Sequence, residues 1–101
     1  MIKVNYHLED GYVKNLEVLG HADYSKNGEL DLVCACVSSI VIGGFNAIKD
    51  NKNYIMSVLP GNVKLEVNKT NIRDDAIIET IITQLKTLET KYSKNINIKE
   101  K

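Results

Sequence analysis

The sequence predicts an α+β domain in which two helices pack against a mostly antiparallel sheet, in the order β-β-α-β-β-α-β. Three observations carry this. Apolar and polar residues alternate in several short runs, the pairs Asp10-Gly11 and Pro60-Gly61 separate neighbouring runs as tight turns do, and two longer segments place their apolar residues at helical spacing.

The first run sets Ile2, Val4, Tyr6 and Leu8 against Lys3, Asn5, His7 and Glu9, the period of a half-buried strand. Asp10-Gly11 suits the positive φ angles of a hairpin turn, and Tyr12 to Leu19 is the returning strand. The segment GHADYSKNGEL, Gly20 to Leu30, is polar and has no sustained period, so it reads as a loop longer than a turn requires. Asp31 is the expected cap of a first helix that runs through LVCACVSSIVIGGFNAIKD, Leu32 to Asp50, with Val33, Val37, Ile40, Val41 and Ile48 as its buried stripe. Gly43 and Gly44 weaken that helix and imply a close neighbour or a bend. Tyr54 to Leu59 and the alternation Val63, Leu65, Val67 flank Pro60-Gly61 as a second hairpin. Asn71 is the expected cap of a second helix, with Ile72, Ala76, Ile77, Ile81, Leu85 and Leu88 along one face, Arg73, Asp74, Glu79, Lys86 and Glu89 elsewhere, and an end near Lys91. Ile96 and Ile98 suggest a short final strand.

With 101 residues, 44% of them apolar, the chain reads as one domain over 1–101 with a single core. Thirteen basic against 13 acidic side chains remove the simplest argument for a duplex DNA binder, so no direct nucleic-acid partner is expected. No apolar run approaches a membrane span, the start lacks a signal peptide's apolar stretch, and a cytoplasmic protein is expected. Two cysteines do not make a disulfide framework.

Cys34 is the first residue to weigh for chemistry. With Asp31 as cap it falls in the first helical turn, where free N–H groups and the helix dipole favour a thiolate; the alternative is a small buried hydrophobe. His21, at the junction of strand and loop, could pair with that thiolate, or be a loop histidine without a partner. His7 reads as a solvated strand residue. Cys36, two residues on, points to the other side of the helix, which argues against a disulfide with Cys34 and reads best as a core thiol. Ser38 shares the helical face of Cys34 and could border the site, or bond back to a helical carbonyl. The set His21, Cys34, Cys36 is a poor zinc site, and no metal or other cofactor is expected.

The segment GHADYSKNGELDLVCACVS, followed by GGFNAI, strongly resembles the bacterial ribosomal-processing cysteine protease family, Prp. Gly20, His21, Ala22, Gly28, Asp31, Val33, Cys34, Ala35 and Ser38 match its motif, as do Asn46, Ala47 and Ile48. Cys36 stands where the family usually has Gly or Ala, and the loop is a residue longer. The resemblance implies that His21 and Cys34 are the catalytic pair, with Asp31 and Ser38 supporting them. It implies a homodimer whose substrate is the N-terminal extension of large-subunit ribosomal protein number twenty-seven. The loop from Ala22 to Leu30, with Gly28, is then the segment that closes over an extended peptide. Amides at the start of the first helix are suitable oxyanion donors. A non-enzymatic ribosome-associated binding module, using Lys3, Lys14, Lys26, Lys49, Lys52 and Lys64 as a basic face, is the alternative from another class. A thiol hydrolase or transferase acting on a small molecule is a third reading.

Overall fold

The computed structural model describes residues 1–20 and 28–101, with side chains in the first helix described from Leu32 onward. Its elements are β1 (Ile2–Glu9), β2 (Tyr12–Leu19), α1 (Gly28–Ala47), β3 (Tyr54–Leu59), β4 (Asn62–Val67), α2 (Ile72–Lys91) and β5 (Ile96–Glu100), the expected order. They build a five-stranded sheet in the order β3-β4-β2-β1-β5. The pairs β1–β2, β2–β4 and β3–β4 are antiparallel, and β5 joins β1 in parallel, so the sheet is mixed. The parallel pairing follows from the crossover through α2, which returns the chain to the end where β1 begins.

Both turns form as their residues dictate. Asp10 and Gly11 have φ of 54° and 81°, and Gly61 after Pro60 has φ of 70°. One feature of β2 breaks simple alternation: His7 pairs with Asn15 but Leu8 with Val13, leaving Lys14 as the extra residue of a bulge. The bulge lets Val13, Leu16 and Val18 all face the core despite their uneven spacing. Lys14 turns its ammonium to the Val67 carbonyl at 2.7 Å.

The helices cover one side of the sheet, where Ile2, Val4, Leu16, Val18, Val63 and Leu65 are buried with Val37 and Val41 of α1 and Ile78, Ile81 and Leu85 of α2. The opposite side is open and mixed: Asn5 donates to Glu17 at 3.0 Å, while Ile55 and Leu59 of β3 lie exposed on the same face. The buried stripe of α1 is the expected one. That of α2 is turned from the expected face: Ile78 and Ile82 are buried, Ala76 is exposed, and Ile72 is 90% exposed because the first turn presents Asp74, about 160° around the helix from Ile72, to the rest of the molecule.

Asp74 also departs from the sequence reading, which placed it on the polar face. It is 1% exposed. Its carboxylate accepts from the Lys49 and Asp50 amides at 3.2 and 3.0 Å and from Asn71 Nδ2 at 3.0 Å, and pairs with Arg73 at 2.9 Å. This capture of two amides is why α1 stops at Ala47, short of Asp50. Asn71 caps α2 as expected, its Oδ1 accepting from the Asp74 amide at 2.8 Å, while its own amide donates to the Tyr54 hydroxyl at 3.0 Å. A clamp thus joins the end of α1, the start of α2 and the start of β3.

α1 continues unbroken through Gly43 and Gly44, and of the two only Gly44 marks a close neighbour. A Cβ on Gly44 would run into Cδ1 and Cγ1 of Ile81, whereas one on Gly43 would meet nothing within 4 Å.

Candidate active site

β2 ends at the same end of the sheet where α1 begins. The Gly20 amide donates to the Gly61 carbonyl at 3.0 Å, fixing the chain just before residue 21 against the β3–β4 turn. Gly20 has φ of 85°, and a Cβ there would lie 2.8 Å from the Met1 carbonyl oxygen, so glycine is required on both counts. His21 and Ala22 lie outside the described residues, as does Lys26; Asp31 is described only in its backbone.

α1 starts at Gly28, three residues before the expected cap Asp31, because Gly-Glu-Leu contains nothing that forces the chain out of a helix. Two expectations change with it. Gly28 is the first residue of a helix, and the segment available to close over a peptide ends at residue 27. Cys34 is six residues inside the helix, about 9 Å along its axis from Gly28, and so outside the first turn where free amides and the dipole act most strongly.

The two thiols separate clearly. Both are half-buried and neither forms a disulfide, but Cys34 packs against the hydrophobic core and Cys36 is not part of that packing. The expectation of a core thiol therefore fails for Cys36. The reason is helical geometry: at about 100° per residue, Cys34 lies within about 20° of the buried Val41, while Cys36 is turned about 160° from Cys34. Ser38 is half-buried on the same flank as Cys34.

α2 meets α1 on the other flank, where Gly44 faces Ile81 and a shallow groove runs between Ser39, Gly43, Ala76 and Thr80. α2 also packs on β5 and β2. Cys34 and Ser38, about 80° and 120° around the helix from Gly44, lie on the flank of α1 turned away from the Gly44–Ile81 contact.

The lysines of the alternative reading that are described, Lys3, Lys14, Lys49, Lys52 and Lys64, do not converge on one face. Register puts Lys3 and Lys64 on the open side of the sheet, Lys14 is held at Val67, and Lys49 and Lys52 lie in the connection between α1 and β3 at the clamp end.

The described part of the site is thus a half-buried thiol on the flank of α1, with Ser38 one turn further on the same flank. A family model described as cysteine protease Prp matches residues 1–97. The chain belongs to that family. It is 31% identical to the ribosomal processing cysteine protease Prp of Staphylococcus aureus over 108 residues, covering all of both chains. It superposes with a TM-score of 0.86 on the crystal structure of an essential ribosomal processing protease Prp from S. aureus in complex with a substrate peptide, at 29% identity and full coverage of both. A second structure from S. aureus, with a covalently linked product peptide, gives a TM-score of 0.83 at 30% identity, again over all of both chains.

Proposed function

We propose that the protein is a cytoplasmic, homodimeric endopeptidase, built of single-domain protomers spanning 1–101, that removes the N-terminal extension of bacterial large-subunit ribosomal protein number twenty-seven. The observation that carries this reading is the relative captured with a covalently linked product peptide, at 30% identity over the whole chain. Such a linkage needs a nucleophile, and Cys34 supplies one at the motif position.

In the mechanism, His21 takes the Cys34 proton and the thiolate attacks the scissile carbonyl carbon, forming a C–S bond. As the C–N bond breaks, His21 returns the proton to the leaving amine and a thioester remains. Water, deprotonated by His21, then attacks the thioester, releases the new carboxylate and regenerates the thiol. Because Cys34 is two turns into α1, lowering of its pKa rests on the imidazolium of His21 more than on the helix dipole. Asp31 and Ser38 support the pair, and Ala22 and Gly28 bracket the segment beside the bound peptide.

The test is incubation with a peptide spanning the junction of the extension, with products read by mass spectrometry. A single cut is expected, and Cys34→Ser and His21→Ala each abolish turnover while retaining the wild-type circular dichroism spectrum. A Cys34→Ser protein that cuts at the wild-type rate would refute the nucleophile, and a wild-type protein that leaves the peptide intact would refute the activity. Sedimentation equilibrium reads the dimer directly.

A further inference from the structure

A cavity of about 280 Å³ lies between the β1–β2 hairpin and α2. Its walls are apolar: Tyr6, Val13 and Ile82 belong to the core, and Leu8 packs against it. Two acids of α2, Asp75 and Glu79, complete the lining, one helical turn apart on the same flank. Asp75 is half-buried. Among the described residues no hydrogen bond or ion pair satisfies either carboxylate. Burial and the negative charge of Glu79 push the Asp75 carboxyl up, with no cation to offset them. The helix dipole accounts for Asp75 in the first turn but not for Glu79 a turn further on. Lys86, which also borders the cavity, is engaged elsewhere: its ammonium lies 5.3 Å from the Tyr6 ring centroid, and Tyr6, Glu100 and Glu89 favour its charged form.

We infer that this cavity is an exosite for a lysine or arginine side chain of the ribosomal-protein substrate, with the charged head between Asp75 and Glu79 and the aliphatic stem against Leu8, Val13 and Ile82. This rests on the proteolytic reading above and adds to it a contact remote from the thiol. A side chain with an apolar stem and a cationic head matches both halves of the lining. The chemistry of the partner agrees, because a protein that seats in ribosomal RNA neutralises phosphates with Lys and Arg. Distance decides which part of the substrate arrives. The stretch of α1 from Cys34 to Ala47 is about 20 Å long, and Asp75 adjoins the clamp at its far end. An extended chain needs on the order of six residues or more to cover that length. The side chain held therefore lies outside the residues flanking the cut, in the basic body of the mature protein.

The experiment compares the wild type with Glu79→Gln, with Asp75→Asn/Glu79→Gln, and with Glu66→Gln on the open side of the sheet as a control for charge. Cleavage of the full-length precursor is expected to lose at least about fivefold in kcat/KM in the double variant, carried by KM, with a smaller loss for Glu79→Gln. A peptide with five residues on either side of the cut is too short to reach the cavity, and its cleavage is expected to stay within about twofold of wild type in every variant. Binding is read separately in a Cys34→Ser background, by fluorescence anisotropy of the mature ribosomal protein without its extension. The double variant is expected to bind it at least about tenfold more weakly. Replacing the Lys and Arg residues of that protein with Ala one at a time is expected to reproduce the loss at one position and to add nothing to it in the double variant.

Folded variants with wild-type affinity for the mature protein would overturn the exosite, as would an equal loss on the short peptide or in Glu66→Gln. If the double variant does not fold, Glu79→Gln decides. A wild type that leaves the precursor intact would instead defeat the proteolytic reading, and the binding assay would still decide the exosite.

Discussion

Adjacent glycines in α1 should respond in opposite directions to the same substitution. In a helix interior, replacing Gly by Ala gains about 0.8–1 kcal/mol through reduced backbone freedom in the unfolded chain and better helix propensity. At Gly43 nothing lies within 4 Å of the new methyl, so most of that gain is realised and Gly43→Ala stabilises by about 0.5–1 kcal/mol. At Gly44 the methyl meets two carbons of Ile81. Ile81 is 1% exposed and, being β-branched on a helix, has one strongly preferred χ1 rotamer, so it cannot swing aside without displacing the core. Overpacking of this kind costs about 1–3 kcal/mol, which outweighs the propensity gain and leaves Gly44→Ala destabilised by about 1 kcal/mol. For a domain of this size 1 kcal/mol corresponds to roughly 4–8 °C. Thermal melts followed by circular dichroism should therefore place the two variants on either side of the wild type, on the order of 10 °C apart. A Gly44→Ala protein that melts at or above the wild type, or together with Gly43→Ala, would refute the argument that α1 and α2 are in contact at Ile81.

The remaining expectations concern the clamp and the second thiol. Burial pushes the Asp74 carboxyl upward, but the Asn71 amide, the Lys49 and Asp50 N–H groups and the Arg73 guanidinium outweigh this and hold it below the usual carboxylate range. A depressed carboxyl pKa contributes stability that is present above the unfolded value near pH 4 and lost as pH falls through the folded value, so urea melts from pH 6 to pH 2 should show the wild type losing its advantage over Asp74→Asn only below about pH 4. Near neutral pH, Asp74→Asn should cost about 1–3 kcal/mol, because an amide cannot accept in all of these directions and leaves a buried N–H unpaired; equal stability at pH 6 would show the clamp to be dispensable. Cys36→Ala should change stability by no more than about 0.5 kcal/mol and leave peptide cleavage intact, since Cys36 stands apart from the core packing; loss of cleavage would transfer the chemistry to Cys36.

Much of the architecture is legible in the sequence because local rules and tertiary packing agree there. The Asp10-Gly11 and Pro60-Gly61 turns, the Asn71 cap and the alternation of β1 and β4 each express a short-range preference that the fold keeps. The departures occur where a distant group decides. Nothing near Lys14 announces a bulge, although the uneven spacing of Val13, Leu16 and Val18 carries its trace. Asp74 looks like an ordinary acid of a first helical turn until Lys49 and Asp50, more than 20 residues earlier, present their amides to it. Ile78 replaces Ile72 in the buried face because α2 carries two overlapping apolar stripes, and the burial of Asp74 selects the one in phase with it, Ile78, Ile81, Ile82 and Leu85. The site is legible in part. Cys34 and Ser38 share a flank, as helical spacing requires, but the start of α1 at Gly28 moves Cys34 out of the first turn. No local pattern marks β3 as an edge strand, since edge position is a property of strand order.

The two ends of the molecule are held differently. At one end Asp74, Asn71 and Tyr54 tie α1, α2 and β3 together through buried hydrogen bonds, so the distance between α1 and β3 is fixed there by polar contacts of defined geometry. At the other end, on the helix-facing side of β3, Val58 is 50% exposed, so the described residues there bury less apolar surface than the clamp end does. Cys34 lies in the N-terminal half of α1 and packs against the core, which sets its position. Loosening the clamp should therefore shift Cys34 as well as lower the melting temperature, because α1 runs unbroken from the clamp to the thiol.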